Sequence, residues 1–105
     1  MTTQELTKVC QAAWEAASGK PMQGWEAEDL ASIIGHLVAN SAAGVCGPAE
    51  LHEHFFGKKT GEGWHPGPLV HDGVKQHAWL VDFASLKPAQ QSYYRMIFAL
   101  VGVFG

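Results

Sequence analysis

Between Trp64 and Phe83 the chain carries Pro66, Gly67, Pro68 and Gly73. Proline removes a backbone donor and locks φ, while glycine raises the entropy cost of any regular element, so a continuous helix is excluded across this stretch. The segments on either side follow helical periodicity. The chain must therefore fold as helices interrupted by one ordered loop, and that loop is where its unusual residues gather.

Leu6, Val9, Cys10, Ala13 and Ala17 recur at helical spacing, which predicts an amphipathic helix over Thr3 to Ser18, stopped by Gly19 and Pro21. Trp25 precedes the acidic run Glu26-Ala27-Glu28-Asp29, expected as the first turn of a second helix whose buried stripe is Leu30, Ile33, Ile34, Leu37 and Val38. His36 lies off that stripe. Asn40 to Gly47 is small and turn-prone, and Pro48 suits the first position of a third helix carrying Leu51, Phe55 and Phe56. That helix should end in Lys58-Lys59, where cations complement the dipole, with Gly61 and Gly63 beyond. A fourth helix restarts at Leu86-Lys87-Pro88 and runs through Tyr93 to Phe104. The predicted fold class is mainly α, about four helices, with the Gly/Pro-rich loop and room for short strands between the last two. Met96, Ile97, Phe98, Leu100, Val101, Val103 and Phe104 make the last helix apolar nearly all round. Such a helix either sits at the centre of the other three or meets another subunit, so a homo-oligomer is expected.

With 105 residues, 47% of them apolar, the chain can bury one core, and residues 1–105 are expected to form one domain. The formal net charge of −3 argues against duplex nucleic acid, which demands clustered Lys and Arg. Charge is unevenly spread. Positions 1–57 hold two lysines against seven carboxylates, a net −5, whereas 58–105 hold five cations against three carboxylates, a net +2. The cationic half is the patterned half, which points to a small anionic ligand. Cys10 and Cys46 form no close pair and read as buried reduced thiols of a cytoplasmic protein. The start Met1-Thr2-Thr3-Gln4-Glu5 resembles no secretory signal, and the longest apolar run, Met96 to Val101, is too short to span a bilayer, so no membrane association is expected.

The candidate binding residues are Gly63, Trp64, Gly67, Lys75, His77 and Arg95. Trp64 between glycines can present an open indole face for a base. Lys75 and His77, two apart in an extended segment, would project to one side toward phosphate oxygens, and Arg95 on the last helix can add a bidentate clamp. The bland alternatives are equally concrete: Trp64 plugging the core under the loop, His77 holding the loop by hydrogen bonds, Lys75 solvated, Arg95 in a structural ion pair.

In order along the chain, His52-Glu53, Phe55, Lys58 or Lys59, Gly63-Trp64, Gly67, Asp72, Lys75, His77, Leu80, Phe83 and Leu86 resemble the pattern of the ryanodine-receptor-type (RyR) domain. Upstream, Val9-Cys10-Gln11-Ala12 and Gly35 to Asn40 are similar to the leading segments of its small stand-alone bacterial and phage members. Pro66 and Phe83 stand where the family has Tyr, Ala78 where it has Pro, and Phe55 where it often has Trp. Two phenol hydroxyls are thereby lost as hydrogen-bonding handles. The resemblance implies a mostly helical domain with a patterned loop before its last helix. It also implies a role in sensing nucleotide-derived signals, and for a free-standing phage copy a sponge that sequesters a host immune nucleotide.

Other chemistries find less support. Six histidines are present, but His52 and His54 point about 200° apart on a helix and no His-x-x-x-His pair occurs, so neither a metal nor another cofactor is expected. Ser85 and Ser92 lack an elbow motif, and Asp72 and Asp82 lack the spacing of an acid/base pair, so the chain reads as a binder and not an enzyme. A cyclic-nucleotide phosphodiesterase using His65, His71 or His77 is the lesser alternative. A protein-interaction module docking through the apolar last helix is the main one.

Overall fold

The computed structural model describes residues 1–40 and 47–104. Helix α1 spans Thr3–Ser18. Thr2 and Glu5 form a reciprocal capping box, in which the Glu5 N–H donates to Thr2 Oγ1 (3.1 Å) and the Thr2 N–H donates to Glu5 Oε1 (3.0 Å). Gly19, with φ of 72°, closes the helix by donating to the Glu15 carbonyl. The connection that follows is tied back by the Met22 N–H, which donates to Glu15 Oε2 at 2.6 Å.

Helix α2, Gly24–Asn40, starts one residue before Trp25. Its buried face is Leu30, Ile33, Ile34 and Leu37, as the periodicity predicts, but Val38 is exposed and Asp29 is buried. The turn-prone stretch after Asn40 lies outside the described residues. Helix α3, Pro48–Gly61, begins with its proline at the first position and buries Leu51 and Phe55, while Phe56 faces outward.

The loop contains a minimal parallel ladder, β1 His65–Pro66 beside β2 Gln76–His77. A turn between them lets His71 pair antiparallel to Gln76. A 3₁₀ turn, Phe83–Ser85, then leads into helix α4, Pro88–Phe104. Among the described residues the architecture is mainly α, with four helices and the small sheet between the last two.

Helix α4 packs on the other three, and α2 also contacts α1 and α3. Tyr93, Tyr94, Ile97 and Val101 are its core face, whereas Phe98, Val103 and Phe104 stay exposed. The core runs from Leu6 and Cys10 through Ile34, Leu51 and Tyr94 to Leu80 and Leu86, so the loop is pinned to the helices by its own apolar residues. Cys10 is fully buried and its thiol pKa is pushed up by that burial, which keeps it in the unreactive neutral form. Among the described residues no helix is long and apolar enough to cross a membrane.

Candidate functional site

A cleft of about 290 Å³ opens where the α1–α2 connection, α2, the loop and α4 meet. Its walls are aromatic, with Trp14 from α1, Trp25 from α2, Trp79 from the loop and Tyr93 from α4. Trp14 and Trp79 each meet the Tyr93 ring nearly at right angles, at centroid distances of 5.0 and 5.4 Å. Edge-to-face contacts of this kind fix each ring in place.

Polar groups enter along one stripe of α2. Gln23, just before the helix, and Glu26 and Asp29 on it follow at successive spacings of three and all line the cleft. Lys20 on the connection is exposed at the rim, and Asp29, only 4% exposed, marks the inner end. A cation thus stands at the rim, and two carboxylates line the α2 wall. Trp25 Nε1 donates to Gln23 Oε1 at 2.8 Å, and the Gln23 N–H donates to Glu26 Oε1 at 3.1 Å, which together orient the wall and the first carboxylate.

Asp29 is anchored from α3. Lys58 Nζ donates to Asp29 Oδ1 at 3.0 Å, and Lys59 Nζ stands 3.0 Å from Oδ2 but off the direction of a hydrogen bond, so Oδ2 accepts none. Lys59 is buried, with Glu62 Oε1 at 3.4 Å as a second counter-charge and its ammonium 3.9 Å from the Trp64 ring centroid. The acidic run at the start of α2 and the paired lysines ending α3 therefore do more than complement two dipoles. They meet, and their meeting locks α2 to α3.

The predicted constellation of Trp64, Lys75, His77 and Arg95 does not converge. Trp64, 7% exposed, is packed between Trp25, 5.0 Å away, and the Lys59 ammonium, and it does not line the cleft. Lys75 has φ of 50°, and this left-handed residue just before β2 breaks the alternation that would have aligned it with His77. Its Nζ instead donates to the Glu62 carbonyl at 3.0 Å, over the C-terminal end of α3. Arg95 donates to Gln91 Oε1 at 3.1 Å and lies over the Phe83 ring. Two residues beyond Tyr93, it is turned about 200° around α4 from the cleft wall.

The two glycines serve the backbone. Gly63 has φ of 88°, a conformation open to glycine and strained for other residues. At Gly67 a Cβ would fall 2.2 Å from the Gln76 side chain, so any larger residue there has to displace that side chain.

Of the predicted residues, His77 alone reaches the cleft. It is 6% exposed, its Nδ1 accepts from the Trp79 N–H at 3.1 Å, and its ring lies 5.8 Å from Trp25 and 5.9 Å from Trp64. Burial, reinforced by the Lys59 charge, holds its pKa down at about 4. It lines the cleft as a neutral imidazole and supplies no positive charge for a phosphate.

His52 and His54 do take opposite directions. His52 is buried between Tyr94 Oη (2.9 Å) and the Val81 carbonyl (2.6 Å), whereas His54 bonds Ser32 Oγ at 2.9 Å and stacks on His36 at 4.2 Å. Among the described residues no three His, Cys, Asp or Glu side chains group as metal ligands.

Trp14, Trp25, Trp79, Tyr93 and Glu26 were not singled out as binding residues by sequence reasoning. They come from four separate elements, and no local spacing links them. The one available signal is compositional, four tryptophans in 105 residues. Comparison of the chain with family models, with curated proteins and with solved structures finds no match.

Proposed function

We propose that the protein is a non-catalytic binder that captures a small nucleotide-derived signal by taking its base into the aromatic cleft. The observation that carries this reading is the cleft itself, in which three indoles and a phenol surround a space of about 290 Å³ beside a neutral imidazole. Stacking a base on such rings contributes on the order of 1–3 kcal/mol per base. The volume lies at the small end for ligand sites, which fits one ring system and leaves sugar and phosphate outside. The charge order fits that orientation too, with Lys20 at the mouth, where a phosphate would emerge. A cyclic dinucleotide would then insert one base and offer the other to a second copy, in keeping with the expected homo-oligomer. The resemblance to stand-alone RyR domains supports a sponge role for a phage-encoded copy in the host cytoplasm.

The test is a thermal-shift panel of mononucleotides, cyclic dinucleotides and ADP-ribose derivatives, followed by heat release of whatever binds. A tight ligand must raise the melting temperature and should come off intact. No shift across the panel would overturn the reading, and recovery of only cleaved product would replace it with an enzyme.

A second reading rests on Phe98, Val103 and Phe104, which α4 leaves exposed and which suit docking onto a protein partner. Phe98→Glu distinguishes the two, because it should abolish partner capture under the docking reading and leave nucleotide binding untouched under the first.

A further inference from the structure

A second cavity, of about 440 Å³, lies between α3 and the segment that leads through the 3₁₀ turn into α4, and it shares no lining residue with the aromatic cleft. His52 fixes its floor. The ring Nε2 donates to the Val81 carbonyl at 2.6 Å, so Nδ1 of the neutral imidazole accepts from the Tyr94 hydroxyl at 2.9 Å. The Phe56 and Phe83 rings each stand 6.2 Å from that imidazole, Phe83 half-buried and Phe56 exposed. Glu53 follows His52 on α3, and Asp82 follows Val81. The hydrogen bond that ties His52 to Val81 therefore brings both carboxylate-bearing neighbours to one cavity, which both line. Each is exposed, and among the described residues neither meets a cation. The Asp82 side chain caps nothing in the 3₁₀ turn. Arg95 stands 5.8 Å from the Phe83 ring centroid, yet it bonds Gln91 and does not line the cavity.

We propose that this groove docks an arginine side chain of a protein partner, its guanidinium laid against Phe56 and Phe83 and paired with Glu53 and Asp82. The charge of the groove selects the occupant. Two unpaired carboxylates beside aromatic rings complement a cation that also has a flat apolar face, and they repel a phosphate or an acidic peptide. A guanidinium meets both demands, because it stacks on rings and presents several donors in one plane. An ammonium offers the charge but is more strongly hydrated, so it gains less from the rings. Val81, 36% exposed, leaves an apolar wall for the methylenes of the same side chain. This surface is distinct from the aromatic cleft and from the exposed face of α4, so it stands whether or not the protein captures a nucleotide.

The experiment is an NMR titration of the full chain with the peptide acetyl-Gly-Leu-Arg-Leu-Gly-amide, alongside versions carrying lysine or the neutral isostere citrulline in place of arginine. The amide signals of Glu53, Gly57, Asp82 and Phe83 should move with the arginine peptide, and the movement should shrink as salt is added. Citrulline keeps the shape and loses the charge, so its peptide should bind about fivefold weaker or worse, with lysine between the two. The double variant Glu53→Gln with Asp82→Asn should bind the arginine and citrulline peptides alike. Both positions are exposed, so its melting temperature should stay at the wild-type value. Equal binding of arginine and citrulline peptides by the wild type overturns the proposal, as does retention of the arginine preference in the double variant. A lysine peptide that binds as tightly as arginine overturns the guanidinium assignment. Signals that stay fixed at millimolar arginine peptide, or that move only around the aromatic cleft, overturn the site itself.

Discussion

His77 is where burial and chemistry meet most visibly. Its folded pKa of about 4 lies below the ordinary value of 6.5, so between those pH values the unfolded chain holds a proton that the native chain does not. Stability therefore rises with pH through that window, is fully present above about 6.5, and is lost as pH falls toward 4. For His77 alone the loss is roughly 3 kcal/mol at the acid end. His52 and His54 are also depressed, first by burial, and add in the same direction. Urea midpoints measured between pH 7 and pH 4 should fall steeply, and His77→Gln should flatten the profile. A profile unchanged by that substitution would show that the imidazole is not the titrating group. Asp29 has an equally local consequence. Removing it in Asp29→Ala leaves Lys59 buried with Glu62 as its remaining counter-charge, at a cost of about 3–5 kcal/mol by chemical denaturation. Asp29→Leu with Lys59→Met should recover most of that loss, because a packed apolar pair avoids the buried charge altogether.

At the scale of elements, much was legible because the controlling physics is local. The limits of α1 follow from a capping box and a left-handed glycine, both written in consecutive residues. Pro48 likewise sets the start of α3. Within the loop, local rules reach their limit. Gly67 is packed against a Gln76 side chain nine positions away, and Lys75 is swung from His77 by one positive φ that no pattern announces. The prediction at this scale concerns the β1–β2 pair. Gly67→Ala should destabilise the domain by about 1–3 kcal/mol through overpacking, and Gln76→Ala in the same chain should restore part of it. Additive losses would place the strain elsewhere. Charge pairing between elements was equally hidden, since Asp29 and Lys59 each had a sufficient local explanation as dipole-complementing residues, and their contact joins helices thirty positions apart.

The whole molecule explains why the cleft was not legible in the sequence. Stacking, charge and imidazole chemistry were expected mostly from residues of one loop, whereas the cleft draws aromatic side chains from all four helices as well as the loop. Its tryptophans are informative only after α1, α2 and α4 have packed. Helix α4 buries Tyr94 and Ile97 at the centre and leaves Phe98 and Val103 exposed. The most direct measurement on the central claim is the set of four indole N–H resonances, followed by NMR as GMP is added. Capture in the aromatic cleft predicts that the Trp14, Trp25 and Trp79 signals move strongly, that Trp64 moves least, and that the Arg95 guanidinium signal stays fixed. Movement of Trp64 and Arg95 with the other three indoles unchanged would contradict the account, as would a spectrum that does not respond to the nucleotide.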